Sequence, residues 1–176
     1  VNDAALEVGG MVAYGKVTEL PGPVDVAVLC IPRAGILEAI KDCAKHGVKA
    51  LVIMSAGYES AQGLSAQREL VALARANGMR VLGPASLGLI NTDPEVNLHI
   101  SGSTGVSKPG NVGFFSQSAA MGMILQGVGI QQGVGVSSAI SAGLRADVSG
   151  NDAMQFFEDD PRTDVVAMYL ESFGNP

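Results

Sequence analysis

The sequence predicts an α/β fold built on parallel sheets. Aliphatic runs of strand length recur along the 176 residues, and most of them precede a stretch with helical periodicity. This alternation implies βαβ crossovers, and hence a doubly wound sheet that is covered on both faces. The composition agrees, because 47% of the residues are hydrophobic and 23 are glycines, which suits a protein with many strand–helix turns.

The first part of the chain, residues 1–105, is predicted to form one domain. Strands are predicted at Met11–Tyr14, Asp25–Ile31, Lys49–Met54, Arg80–Gly83 and Leu87–Asn91, and helices at 33–46 and 64–77. Each helix is followed by a glycine, Gly47 or Gly78, which allows the left-handed conformation of a C-terminal cap. The segment from Asn91 to Pro109 is polar and without periodicity, so we interpret it as an interdomain connection.

The second part, residues 110–176, is predicted to open another α/β unit. Strands are predicted at Asn111–Phe115, 134–141 and Asp164–Glu171, and helices after Ser118 and near 151–159. Ser149 and Asp152 have the spacing of a capping box, in which two residues satisfy each other's backbone N–H groups at a helix start.

The turn between the first strand and the first helix of this second unit is the strongest candidate site. Ser116 or Ser118 can cap the helix by accepting a backbone N–H group. Unpaired N–H groups and the positive end of the helix dipole make such a start an anion site, most naturally for phosphate. We therefore predict phosphate binding at Ser116, Gln117, Ser118 and Ala119. The alternative is an ordinary capped helix of an α/β domain.

Charge and cysteine content narrow the choice of function. The formal net charge of −6 argues against nucleic-acid binding, which needs basic patches. No apolar run approaches the roughly 18–20 residues of a membrane span. No signal-peptide pattern is present, so we expect a cytoplasmic location. Cys30 and Cys43 lack metal-ligand spacing and are interpreted as packed thiols, and no metal site is predicted.

Several short motifs occur in one order along nearly the whole chain. They are Pro23-Val24-Asp25-Val26-Ala27-Val28, Gly47-Val48-Lys49-Ala50, Ser55-Ala56-Gly57, Gly83-Pro84, Leu87-Gly88-Leu89-Ile90-Asn91, Ser116-Gln117-Ser118-Ala119, Ala146-Asp147-Val148, Asp159-Asp160-Pro161 with Thr163, and Tyr169-Leu170-Glu171. Together they resemble the nucleoside-diphosphate-forming acyl-CoA synthetases, which are relatives of the succinyl-CoA synthetase α subunit. This chain departs from the family at Arg145, where the family commonly has a lysine.

The resemblance implies a Rossmann-like CoA-binding domain over residues 1–105, followed by the start of a flavodoxin-like ligase domain over 110–176. It implies that the family's first strand and glycine-rich turn lie before Val1. It also implies that the phospho-accepting histidine lies beyond Glu171, so the isolated chain is expected to be inactive.

The resemblance also implies roles for particular residues. Two loops are expected to bind CoA, namely Ile31, Pro32 and Arg33 after one strand and Ser55, Ala56 and Gly57 after the next. Glu171 is expected to be the catalytic carboxylate that hydrogen-bonds the active histidine. The alternatives are a solvated surface residue for Arg33 and a charged residue at a strand end for Glu171. We interpret His46 and His99 as structural residues. We interpret Asp147 as a residue that stabilises its glycine-containing turn.

The implied reaction interconverts acyl-CoA, ADP and phosphate with acid, CoA and ATP through an acyl phosphate and a phosphohistidine. The implied ligands are coenzyme A, a small carboxylic acid, and ATP or ADP with Mg²⁺, the nucleotide being held by a nucleotide-grasp domain or subunit outside this chain. An oligomer is expected for the full-length protein. Two alternatives are open. One is a CoA-sensing regulatory module of a synthetase-like protein lysine acetyltransferase, and the other is a structural subunit that docks a nucleotide-grasp partner.

Overall fold

The computed structural model describes residues 1–2, 4–102, 105 and 107–173. Within these residues the chain forms ten strands and four α-helices. The strands are β1 (Glu7–Val8), β2 (Met11–Val12), β3 (Val26–Leu29), β4 (Ala50–Ile53), β5 (Arg80–Leu82), β6 (Gly88–Asn91), β7 (Leu98–Ser101), β8 (Pro109–Ser116), β9 (Val136–Ser141) and β10 (Val165–Tyr169). The helices are α1 (Ile36–His46), α2 (Ala61–Ala76), α3 (Ala119–Gln131) and α4 (Gly150–Asp159).

The first large sheet is parallel, as predicted, with the order β3-β4-β5. Its aliphatic residues form a core with the inward sides of α1 and α2, centred on fully buried Ile40, Leu51, Ile53 and Leu70. The two N-terminal strands form a separate antiparallel pair. Each crossover returns the chain to the same edge of the sheet, so the loops after β3 and β4 emerge side by side.

The second sheet has five strands in the order β10-β8-β9-β6-β7. Strands β8, β9 and β10 are parallel, whereas β6 pairs antiparallel with both β9 and β7. The interpretation of 91–109 as an aperiodic connection is therefore wrong at Leu98–Ser101, which form an edge strand. The sequence pattern did not indicate this strand, because the strand is short and lies at a sheet edge, where its residues are only half-buried or exposed.

The division at residues 105 and 110 stays a prediction. The predicted connection includes residues 103, 104 and 106, and the predicted second domain includes 174–176, all of which lie outside the described residues. Two strands from the predicted first domain, β6 and β7, hydrogen-bond within the sheet of the second. The second sheet therefore contains strands from both sides of the predicted boundary.

Helix boundaries follow the capping chemistry that the sequence indicated. Gly47 ends α1 with a φ of 82° and hydrogen-bonds back to the last turn. The capping box of Ser149 and Asp152 is present at the start of α4. Helix α2 begins three residues before the predicted start of 64, because the Ser60 hydroxyl accepts the Gly63 N–H and caps it there.

The two sheets are joined by a buried carboxylate. Asp147, in the loop between β9 and α4, has a fully buried side chain and accepts hydrogen bonds from Arg75 and Arg80 and from the Val81 N–H. Burial raises the pKa of Asp147, but the hydrogen bonds from Arg80, Val81 and Arg75 outweigh it, so the pKa is lowered overall. Arg80 also pairs with Asp152. Burial raises the pKa of Asp152, but the hydrogen bonds from Ser149 and then from Arg80 outweigh it and lower the pKa to about 2.

The two cysteines differ in their surroundings. Cys43 is fully buried in α1, as predicted, and burial, followed by the nearby Asp42 charge, raises the pKa of its thiol. The interpretation of Cys30 as a packed thiol is wrong, because its side chain is exposed. Strand β3 ends at Leu29, so Cys30 lies in the following loop rather than between the sheet and its helices.

Two kinds of feature are absent from the described residues. No described helix is long and apolar enough to cross a membrane. No group of three or more His, Cys, Asp and Glu side chains that could hold a metal ion occurs in the described part of the chain.

Candidate functional site

The two loops predicted to bind CoA lie beside each other at the carboxyl edge of the first sheet. They border an open cleft of about 320 Å³. The cleft is lined by Cys30, Ile31, Pro32, Arg33, Met54, Ser55 and Ala56. The Ser55 hydroxyl donates a 2.5 Å hydrogen bond to the Ile31 carbonyl, which fixes one loop to the other. The structure thus brings together the residues that the sequence had placed 24 positions apart.

Arg33, in the first cleft loop, is hydrogen-bonded to Gly57 of the second cleft loop. Its Nη1 donates a 2.8 Å hydrogen bond to the Gly57 carbonyl, and its guanidinium lies 5.1 Å from the ring centroid of Tyr58. Gly57 has a φ of 94°, a conformation that side chains disfavour. The remaining Arg33 N–H groups have no acceptor among the described residues, so this exposed cation is held in place and still has donors for an anion.

The start of α3 has the predicted strand–turn–helix geometry. The Ser118 hydroxyl caps the helix by accepting the Met121 N–H at 3.3 Å. The buried Ser116 hydroxyl donates to the Ser118 carbonyl at 2.7 Å and accepts the Ser118 N–H. Among the described residues, the N–H groups of Ala119 and Ala120 have no acceptor. Two donors at the positive end of the helix dipole therefore stay available.

Gln117 has a different environment from the other residues of this turn. Its side chain is buried and points toward the end of β10, where Oε1 accepts the N–H groups of Glu171 at 2.8 Å and Ser172 at 3.1 Å. Nε2 donates to the Ser172 carbonyl at 2.8 Å. The start of α3 and the backbone of Glu171, the predicted catalytic residue, are therefore adjacent. Strand β10 ends at Tyr169, and the Glu171 side chain is exposed.

Arg145 contacts the same segment from the third loop of this sheet edge. Its Nη1 donates to the Ser172 carbonyl at 2.9 Å, and its Nη2 to the Ser172 hydroxyl at 2.5 Å. The side-chain contacts of Gln117 and Arg145 were not found from the sequence. Their acceptors lie 55 and 27 residues away, so no local pattern could have indicated them.

The two histidines lie away from both candidate sites. His46 ends α1, at the opposite edge of the first sheet from the cleft, and its Nε2 is 2.8 Å from the Gly22 carbonyl. His99 is exposed on the edge strand β7. The sequence suggested that Asp147 only stabilises its turn. The Asp147 carboxylate is instead buried between the two sheets, where it accepts hydrogen bonds from Arg75 and Arg80.

Comparison with known families accounts for both halves of this arrangement. The family model described as "CoA binding domain" matches residues 1–92, which is more than half of the chain. The chain belongs to the CoA-binding domain family. A second family model, described as "Succinyl-CoA ligase like flavodoxin domain", matches residues 109–176. The resemblance to the nucleoside-diphosphate-forming acyl-CoA synthetases and the predicted pair of α/β units are thus confirmed.

Individual relatives of the chain are ligases and synthetases. The chain is 37% identical over 173 residues to the α subunit of acetate–CoA ligase [ADP-forming] II from Pyrococcus furiosus, covering 97% of this chain and 37% of that protein. It is 36% identical over 181 residues to a trans-feruloyl-CoA synthase from an unknown prokaryotic organism, covering 26% of that protein. The chain thus spans about a third of the length of these relatives, or less.

A solved structure resembles the chain over almost its whole length. It is the dinucleotide-forming acetyl-coenzyme A synthetase 1 of Ca. Korarchaeum cryptofilum in complex with phosphate and ADP. The two structures superpose with a TM-score of 0.93 at 37% identity, covering 99% of this chain and 37% of the synthetase. The arrangement of the two sheets described above is therefore shared with that synthetase.

Proposed function

We propose that this chain is the CoA-binding and phosphate-binding part of an ADP-forming acid–CoA ligase that acts through an acyl phosphate and a phosphohistidine. The observation that carries the proposal is the meeting of Ser116–Ala119 and Glu171 at one sheet edge, in a chain that also carries the two-loop cleft. The relatives named above are ligases and synthetases. They favour this function over the acetyltransferase alternative and over a purely structural subunit.

The cleft fits the chemistry of coenzyme A. Most of its lining residues are apolar, so a pantetheine arm can pack against them, and the lining also includes Arg33 with its free N–H groups. A guanidinium is well suited to a phosphate group because its planar donors match the phosphate oxygens. Ser55 supports the site indirectly, since its hydroxyl is engaged by the Ile31 carbonyl.

The start of α3 fits a phosphoryl group. Free N–H groups at Ala119 and Ala120 can donate to its oxygens, while Ser116 and Ser118 fix the turn that presents these donors. Glu171, next to this turn, would orient the imidazole that receives the phosphoryl group and stabilise its charged form. ATP or ADP with Mg²⁺ would be held by a nucleotide-grasp domain or subunit outside the described chain, in a cytoplasmic oligomer.

The phosphate site can be tested by replacing Ala119 with proline. Position 119 is the first helical residue and Ser118 has the extended backbone, with φ −100° and ψ 121°, that a following proline requires. A119P therefore removes one free N–H group without removing a hydrogen bond of the helix. We expect phosphate affinity, measured by NMR titration, to fall several-fold.

The matched control for this variant is A61P, which introduces proline at the first residue of α2. Its cap, Ser60, is also extended, with φ −80° and ψ 168°. A61P should leave phosphate affinity unchanged. Equal phosphate affinity in A119P and the wild type, or phosphate-induced shifts centred elsewhere, would contradict the assigned site.

The CoA cleft can be tested by the same method with R33Q. We expect CoA to shift the amide resonances of the two cleft loops, with R33Q weakening its affinity roughly tenfold, as for a lost charge-assisted hydrogen bond. R68Q is the control, because Arg68 is an exposed arginine of α2. Unchanged CoA affinity in R33Q would show that this arginine is only a surface residue.

A further inference from the structure

We propose that Gln117 and Arg145 are positioning residues that fix the backbone of Glu171 and Ser172 beside the start of α3. The side chain of Gln117 thereby serves the carboxylate rather than the phosphate. The inference rests on the proposed function, in which Glu171 orients the reacting imidazole. It assigns the polar residue of the Ser116–Ala119 turn to a different partner from the one that the sequence suggested.

The amide of Gln117 matches the backbone that it contacts. Both N–H groups of the segment, at Glu171 and Ser172, point to Oε1, and the Ser172 carbonyl faces Nε2. This pattern permits one orientation of the amide, since the carbonyl oxygen accepts and the nitrogen donates. The Gln117 N–H also donates to the Tyr169 carbonyl at 3.0 Å, so backbone and side chain of one residue hold the end of β10.

Arg145 completes the contact from the other side. Gln117 lies in the β8–α3 loop and Arg145 in the β9–α4 loop, and both donate to the Ser172 carbonyl. Arg145 has a positive φ of 45°, an uncommon conformation for a residue other than glycine. Three loops at one sheet edge are thus tied together at Ser172.

Apolar packing does not account for the position of residues 171–173. Residues 171–173 follow the last hydrogen-bonded residue of β10 and are all exposed, so apolar contacts contribute little to holding them. Exposed segments beyond a strand end ordinarily have little restraint. A buried amide and a guanidinium that both bind this segment therefore restrain the main chain from which the Glu171 carboxylate projects. Such restraint is what a group orienting a reacting imidazole needs.

Amide hydrogen exchange measured by NMR tests the inference on this chain. In the wild type, the N–H groups of Glu171 and Ser172 should exchange at least tenfold more slowly than in an unstructured peptide. Q117M, which has no acceptor, should remove this protection while the amides of β8 and β9 keep theirs. Q117E should retain most of it, because a carboxylate oxygen can still accept both N–H groups.

Two comparisons make the result decisive. Q131M, at the exposed end of α3, is the matched control and should leave exchange at Glu171 and Ser172 unchanged. Phosphate affinity in Q117M should stay within about twofold of the wild type. Lost phosphate affinity with retained protection would overturn the inference by making Gln117 a phosphate ligand, and unprotected amides in the wild type would also overturn it. If the wild type binds no phosphate, the proposed phosphate site fails, and the exchange data still decide the positioning role.

Discussion

Replacing Asp147 with asparagine should lower the free energy of unfolding more than the loss of any surface charge. The carboxylate has a side-chain exposure of 0%, whereas Arg75 and Arg80 are 58% and 51% exposed. Removing one member of a fully buried ion pair costs about 3–5 kcal/mol. Here both arginines regain water, and asparagine can still accept one of the hydrogen bonds. We therefore expect D147N to lower the free energy of unfolding by about 2–3 kcal/mol.

Urea unfolding at pH 7 measures this change. With a slope of about 2 kcal/mol per molar urea, the midpoint should fall by about 1 M. The control D42N removes a surface ion pair between Asp42 and Lys45 in α1 and should shift the midpoint little, because such pairs contribute little to stability. A loss below about 1 kcal/mol in D147N would refute the reasoning, since it would make the buried carboxylate no more important than an exposed one.

The pH dependence supplies an independent check. The pKa of Asp147 is lower in the folded chain than its usual value, so its contribution is present above the unfolded pKa. That contribution is lost as the pH falls through the folded pKa. The stability difference between wild type and D147N should accordingly be largest near neutral pH and shrink below about pH 4. A difference that is constant between pH 7 and pH 3 would exclude the charge of Asp147 as its cause.

Two further predictions concern packing and thiol exposure. G113A should destabilise the chain by about 1–3 kcal/mol in urea unfolding, because the new Cβ would lie 2.6 Å from the Phe157 ring. G127A, where nothing lies within 4 Å, should be neutral or stabilising, and equal effects would refute the packing argument. In a thiol-labelling assay at pH 8, Cys30 should react fast and Cys43 only on unfolding, because Cys43 is buried and its pKa is raised. Two equally fast thiols would contradict the structure.

The candidate site residues divide between those that a local pattern indicates and those that it does not. Ser116 and Ser118 are indicated because a strand, a polar turn and a helix follow one another within ten residues. The two cleft loops were placed by the family resemblance, on the principle that ligands bind at the carboxyl ends of parallel strands. The sequence places Gln117 in the predicted phosphate-binding turn, but its side chain contacts Ser172 across the sheet edge. Only the fold brings those two residues together.

The sequence by itself determined the local elements of this protein. The aliphatic runs became β3, β4 and β8, and the capping box at Ser149 became the start of α4, because backbone conformation and capping depend on neighbours within a few residues. Tertiary structure alone decided that β6 joins the second sheet antiparallel. It also decided that Asp147 binds Arg75, 72 residues away, and that the apolar residues Met123 and Ile124 of α3 face solvent. Such outcomes depend on which distant surfaces meet, and no local period encodes that.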